Sequence, residues 1–459
     1  MMKLIHDKIP VREKIAYGLG DTAANLVWRT LMVFLPFFYT DVFGISAAAV
    51  GTLLLVSRYG DGISDFIIGL IADRSNSRWG KFRPWILFTA VPFGVLTVLT
   101  FTTPDLGPTG KLVYAYLTYN ALLIVFTANN VPYSALTGVI SHSPRERTIL
   151  TSYRFFFAFG GAILVQGLTN PLVEFFGKGD RVAGYRATMT LFAVLAIIIF
   201  VITFLGTKER VVAPRREKLE LGRDLADLFK NRPWLILFCA GLSFVTMTTL
   251  KQGVTMYYFS YYINNASLAG VFLVISTLAA MAGAILASPL AIRFGRKRLM
   301  QYSFILAAVT SAALYLLPPG GIVWIFVLSM LTEFATGPIV VLFFAMLADA
   351  ADYSEWKNHR RATGLVYSAG TLSMKFGTGV GGALTGWTLM LVGYTANVAQ
   401  TPEALQGIRL LISIFPALAA VLGLVAFHFY PISEDKLEAI KEALKARHAA
   451  AQKSGPEEG

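Results

Sequence analysis

Hydrophobic residues run through this chain in long blocks separated by short polar loops, without the period-two alternation of half-buried strands. Between residues 15 and 430 there are roughly twelve such blocks, each long enough for a helix to cross a hydrocarbon core of about 30 Å. A transmembrane barrel would show shorter segments of alternating polarity. The pattern therefore predicts an all-α polytopic membrane protein with about twelve transmembrane helices. The longest polar interruption runs from Thr207 to Arg232 and includes Pro214-Arg215-Arg216-Glu217-Lys218. It divides the chain into a six-helix half at 1–206, a central loop at 207–232, a second six-helix half at 233–430 and a tail at 431–459. Within the loop, Leu219 to Lys230 reads as an amphipathic helix lying on the membrane surface. In the tail, Ser433 offers an N-cap ahead of the acidic first turn Glu434-Asp435, and Ser454 to Gly459 are expected to be disordered. The loop Asp73 to Arg83 has a shorter basic counterpart at Arg293 to Arg298 in the second half, which predicts a parallel internal repeat.

Composition agrees with this class. Of 459 residues, 55% are hydrophobic and 15% charged, and the mean hydropathy is +0.59. The net charge of +13 raises the question of nucleic acid, but its placement answers it. Lys and Arg gather before residue 15, at Arg74 to Arg83, Arg145 and Arg147, Lys208 to Arg232, Arg293 to Arg298, Lys357 to Arg361 and beyond residue 431. Alternate loops hold only Lys111, Lys178, Arg181, Arg186 and Arg409. By the positive-inside rule both termini, the central loop and the tail are cytoplasmic, the number of spans is even, and the partner is a lipid bilayer, not nucleic acid. The charged opening, Met1 to Lys14, lacks the apolar core of a cleavable signal. The single Cys239 leaves no intrachain disulfide and no two-cysteine metal or redox motif.

Charges inside the spans carry the candidate chemistry. Arg58, Asp61 and Asp65 fall at i, i+3 and i+7 on one helical face, within an otherwise apolar block. Each charge at mid-membrane costs at least about 2.5 kcal/mol, so the three require partners, a wet cavity or a bound ion. If Arg58 simply neutralises one carboxylate, the second is left to explain. Span 1 carries Asp21, Asn25 and Arg29 on one stripe, span 4 carries Thr127, Asn129 and Asn130, span 5 begins near Arg154, span 7 holds Lys251, and span 11 holds Thr371 and Lys375. For the isolated Ser, Thr and Asn residues, interhelical hydrogen bonding worth about 0.6 kcal/mol per pair is sufficient reason. An enzyme in the membrane is the rival class. With five His and no ligand pair at helical spacing, neither a metal centre nor a cofactor is expected. Two Asp on one helix also do not make the two-segment dyad of an aspartyl protease.

Several stretches together resemble the glycoside-pentoside-hexuronide:cation symporter family, typified by melibiose permease. They are Tyr17 to Asp21, Phe38 to Gly44, Arg58 to Asp65, Arg78 to Trp85, Asn130 to Tyr133 and Ala348 to Trp356. The resemblance implies a major facilitator fold in the cytoplasmic (inner) membrane and uptake of a small-molecule sugar driven by a coupling cation, Na⁺ or H⁺. By position it implies Asp61 and Asp65 as cation carboxylates with Thr127 as a supporting hydroxyl. Ser64 stands where melibiose permease has an Asn tied to Na⁺ use. Arg154 matches a sugar-contacting Arg, and Thr371 and Lys375 match polar groups of span 11 and are expected to serve the sugar with it. Asn25 and Asn130 replace two sugar-binding carboxylates, so galactoside specificity does not transfer. Arg29 and Lys251 are added cations, which leaves both an acidic sugar (a hexuronide or sulfo-sugar) and a neutral glycoside open, with a slight lean to a substrate bearing a negative group and with Asp21 and Glu333 as groups that would offset the cations. Arg29 paired with Asp21 or Asn25 is the structural alternative. Alternating access between the halves is expected, with Arg78 in the first basic loop and Asp349 and Asp352 opposite the second as gating residues.

Overall fold

The computed structural model describes residues 8–75, 77–141, 143–211, 228–358 and 363–453. Helices carry nearly all of them. They are α1 (Val11–Val33), α2 (Ala47–Arg74), α3 (Arg83–Thr100), α4 (Pro108–Ile140), α5 (Pro144–Gly177), α6 (Arg181–Gly206), α7 (Arg232–Tyr257), α8 (Leu268–Phe294), α9 (Arg296–Leu314), α10 (Ile322–Asn358), α11 (Thr363–Leu391), α12 (Pro402–His428) and α13 (Glu434–Lys453). Among the described residues, eight are long and apolar enough to span a membrane by composition alone. Of the other helices, α1, α2, α9 and α11 carry more polar residues than these eight, and α1 and α2 hold Asp21, Arg29, Arg58, Asp61 and Asp65. The amphipathic segment expected from Leu219 lies outside the described residues apart from Leu228–Lys230, as do residues 454–459 and most of the basic run after Lys357.

Local chemistry sets the helix ends. Proline stands in the first turn of α3, α4 and α5, where its missing N–H has no intrahelical partner to lose. Ser46 caps α2, and the Asp180 carboxylate caps α6 by accepting from the Val182 and Ala183 N–H groups at 2.8 and 3.2 Å. α5 starts at Pro144, ten residues before Arg154, because Ser143 and Pro144 supply the N-terminal signal.

The inner repeat is visible at the far ends of α1 and α7. α1 continues through Leu35–Phe37 into a π-helical turn at Phe38–Val42, and α7 continues into a π-helical turn at Tyr258–Tyr262. Each is followed by a left-handed residue, Gly44 (φ 78°) or Asn264 (φ 56°), and by a closing bond, Ile45 N–H to Tyr39 O at 2.8 Å or Asn265 N–H to Phe259 O at 2.9 Å. The two ends match residue for residue at a shift of 220, the separation of Asp41 and Tyr261.

Two compact units emerge from the packing. The first comprises Met1–Arg215, Gln252–Thr277 and Gly382–Arg409, so it holds α1 to α6 together with the distal end of α7, the start of α8, the end of α11 and the start of α12. The second comprises Arg216–Lys251, Leu278–Gly381 and Leu410–Gly459. Its core gathers Trp234, Leu237, Met300, Phe304, Phe343 and Leu347. The tail helix α13 belongs to this core through Leu437, 3% exposed, and also buries Ile440 and Leu444. Ser433 caps it, accepting from Lys436 N–H at 3.3 Å.

Candidate functional site

α2 presents its charged face inward within the first unit. Arg58 is 2% exposed and Asp61 4%. The Arg58 guanidinium donates to Asp61 Oδ2 at 3.3 Å and to the Tyr119 hydroxyl at 3.1 Å, and its carbon lies 4.6 Å from the centre of the Trp28 ring. The Thr127 hydroxyl on α4 stands within hydrogen-bond distance of both carboxylates, 3.0 Å from Asp61 Oδ1 and 3.2 Å from Asp65 Oδ1. Asp61, Asp65 and Thr127, which the sequence grouped as a cation site, are therefore one cluster of oxygens. The Ser64 hydroxyl donates to Asp61 O at 2.9 Å, which orients it toward the same turn and leaves its oxygen able to accept. Arg58 takes up negative charge on the Asp61 side of the cluster, as the buried-pair alternative required. Tyr119 and Trp28 were not singled out from the sequence, where an aromatic in an apolar span carries no distinguishing mark.

A second cluster joins α1, α4 and α5. Arg154 donates to Asp21 through Nε at 2.6 Å and through a terminal nitrogen at 3.3 Å, and the same nitrogen reaches the Ser134 hydroxyl at 3.3 Å. Its guanidinium stacks 4.7 Å from the Tyr133 ring centre. The Tyr133 hydroxyl donates to Tyr17 O at 2.6 Å and lies 3.3 Å from Asp21 Oδ2, and Tyr17 in turn bonds Thr137. Gly20 makes room for this ring, because a Cβ there would sit 2.5 Å from Tyr133. Asp21 is thus paired with Arg154 and not with Arg29. Arg29 donates instead to Gln252 at 3.4 Å, and Asn25 donates to Asp21 O on its own helix at 2.9 Å. Asn129 bonds Thr89 at 2.8 Å, and Asn130 is half-buried beside it.

Lys251, Thr371 and Lys375 belong to the second unit. The buried Lys251 ammonium pairs with Glu333 at 3.1 Å and donates to the Ser329 hydroxyl at 3.3 Å. Thr371 turns its hydroxyl to Ser368 O at 2.8 Å, and Lys375 is half-buried one turn further on. At the basic end of this unit Arg296 grips two acids, Asp349 at 2.7 Å and Glu434 of α13 at 3.1 Å, and Glu434 also accepts from the Arg296 backbone N–H at 3.0 Å. Burial would raise the Glu434 carboxyl, but these bonds and the Arg296 charge outweigh it and hold the group below its ordinary 4.5. Asp352, one turn beyond Asp349, is half-buried.

Arg78, in the first unit, is exposed and stacks over Trp79 with 4.7 Å to the ring centre. The anchor of its loop is Glu209, a residue the sequence reading passed over. Its carboxylate accepts the backbone N–H groups of Lys81, Phe82 and Arg83 at 2.8, 2.8 and 2.9 Å, which places a negative charge on the N-terminus of α3. Gly80 (φ 112°) permits that approach, since a Cβ there would meet Glu209 Oε1 at 2.5 Å. The pairing of a loop glycine with a distant acid is not readable from either residue alone. Among the described residues no group of three or more His, Cys, Asp or Glu is placed to hold a metal ion.

Residues 16–434 match the family described as MFS/sugar transport protein. The chain is 37% identical over 446 residues to the putative glycoside/cation symporter YagG of Escherichia coli (strain K12), covering 97% of each. It is also 37% identical to the isoprimeverose transporter of Lactiplantibacillus pentosus, covering 97% of this chain and 94% of that protein. Among solved structures, a bacterial homologue of the human lysosomal transporter Spinster superposes with a TM-score of 0.65 at 15% identity, over 92% of this chain and 95% of that one.

Proposed function

Because the chain belongs to the MFS/sugar transport protein family, we propose that it imports a sugar through the inner membrane by cation-coupled symport, with Asp61 and Asp65 taking the driving Na⁺ or H⁺. The observation that carries this reading is the Thr127 hydroxyl of α4 within 3.2 Å of both carboxylates of α2, a set of oxygens shared by two helices in which each buried charge is costly. Neutralising that set with one cation favours the sugar-loaded state. Alternating exposure of the sequence halves 1–206 and 233–430 then carries both solutes across, with the basic loops and both termini on the cytoplasmic side.

Arg154, Asn25, Asn130 and Arg29 from the first unit and Lys251, Thr371 and Lys375 from the second are proposed to serve the sugar. Two of these cations, Arg154 and Lys251, sit on the carboxylates of Asp21 and Glu333. That pairing favours a neutral glycoside or pentoside over an acidic sugar, because a substrate carboxylate would have to compete with an internal one. A pair such as Arg154 and Asp21 still offers donors and acceptors to sugar hydroxyls. The experiment is uptake of labelled sugars into sealed membranes, with and without an imposed Na⁺ or proton gradient. Concentrative uptake of a neutral glycoside under one gradient is expected, and uptake of no sugar under either would remove the reading.

A further inference from the structure

At the end of α1 opposite its cytoplasmic start, Asp41 is 5% exposed. A carboxylate at a helix C-terminus gains nothing from the helix dipole and needs donors of its own. It has them from three separate stretches of the first unit. The Tyr394 hydroxyl lies 2.7 and 2.8 Å from its two oxygens, Tyr261 and Thr40 donate to it as well, and the Asn397 amide donates to Asp41 O at 2.7 Å. Asn397 N–H donates to the Tyr261 hydroxyl at 2.9 Å, and Thr40 meets the Tyr257 hydroxyl at 2.8 Å. Asp41 and Tyr261 hold the same place in the two repeats, each inside a π-helical turn, a form that concentrates where a helix must be reshaped for function. Hydroxyl donors on a buried carboxylate make a closure that is strong while dry, yet water can replace every bond. Water has a route, since Asp41, Tyr261 and Asn397 line a polar cavity of about 790 Å³ with Arg181, Ser260 and Gln400.

We propose that Asp41, with Tyr261, Tyr394 and Asn397, is the outer latch of the transport cycle, holding the first repeat's α1 end against the ends of α7 and α11 until the outward opening. The purpose of the latch rests on the transport reading above, but its test does not use transport. In a Cys239→Ala background, Gln252→Cys places a thiol on α7 more than two turns inward of Tyr261, for labelling by a membrane-impermeant maleimide applied to intact cells or to inside-out vesicles. The Tyr261→Phe, Tyr394→Phe pair removes two charge-assisted bonds and should raise labelling from outside about tenfold or more, with no rise from inside. Asn397→Ala, which keeps both tyrosines, should act in the same direction with a smaller effect and decides the matter if the double variant fails to fold. A control thiol, Ser311→Cys, at a fully buried site of the second unit, must stay unlabelled. Unchanged labelling at residue 252 overturns the latch, and so does a rise at both positions, which would report unfolding. Sugar uptake is measured separately on the native protein, whose Gln252 still accepts from Arg29, so increased labelling beside absent native uptake would keep the latch and remove only the transport reading.

Discussion

Replacing Asp61 and Asp65 together by Asn is expected to abolish uphill sugar accumulation, bringing the internal sugar no higher than the external, while exchange of sugar across the membrane and sugar binding persist. The Asn amides keep the size of the carboxyl groups and their ability to bond Thr127, but remove the two negative charges that make a cation welcome beside Arg58. Arg58 would then hold an uncompensated buried charge, so the single variants and an Arg58→Gln triple variant belong in the same series. If lost coupling came only from that orphaned cation, the triple variant would recover accumulation. On the present account it does not, because the cation has lost its ligands. Accumulation ratios of a labelled glycoside in energised cells supply the measurement.

The second large effect concerns Lys251. Its ammonium side chain is 4% exposed and that of Glu333 15%, so Lys251→Gln takes the cation from a largely buried carboxylate. A loss of about 3–5 kcal/mol of stability is expected from breaking one side of such a pair, whereas the Lys251→Gln, Glu333→Gln double variant should regain most of it. Thermal unfolding in detergent reads both. The same variants bear on the substrate, since binding of a uronide and of its uncharged glucoside should fall together if Lys251 is answered by Glu333. A loss confined to the uronide would show that the ammonium faces the substrate's charge and would return the acidic sugar to first place.

Much of this is legible in the sequence, for a physical reason. A bilayer forces apolar blocks of one length and makes every charge within them conspicuous, so the helices and the pair Asp61 and Asp65 stood out, whereas Thr127 was joined to them only by the family resemblance. What remained hidden were the partners. Asp21 had Arg29 and Asn25 on its own stripe, but the helix packing brings Arg154 from α5 instead, and Asn25 turns back to its own backbone. Glu209 looked like one more charge in a polar loop, yet it caps α3 through three backbone N–H groups that no side-chain pattern announces. Asp41 sat in a recognisable stretch, but its tyrosine donors lie 220 and 353 residues away, beyond any local periodicity. Element types follow from local sequence here, whereas the ion pairs follow from which helices meet.

The central claim is that a cation held at Asp61, Asp65 and Thr127 moves with the sugar. Its most direct test is the current evoked by a sugar concentration jump on purified protein reconstituted in vesicles, recorded with Na⁺ or H⁺ as the available cation. The account predicts an inward cation current that follows the sugar for one of the two ions and vanishes in the Asp61→Asn, Asp65→Asn variant although that variant still binds the sugar. An undiminished current in the variant, or sugar entry without any accompanying charge in the native protein, would contradict it.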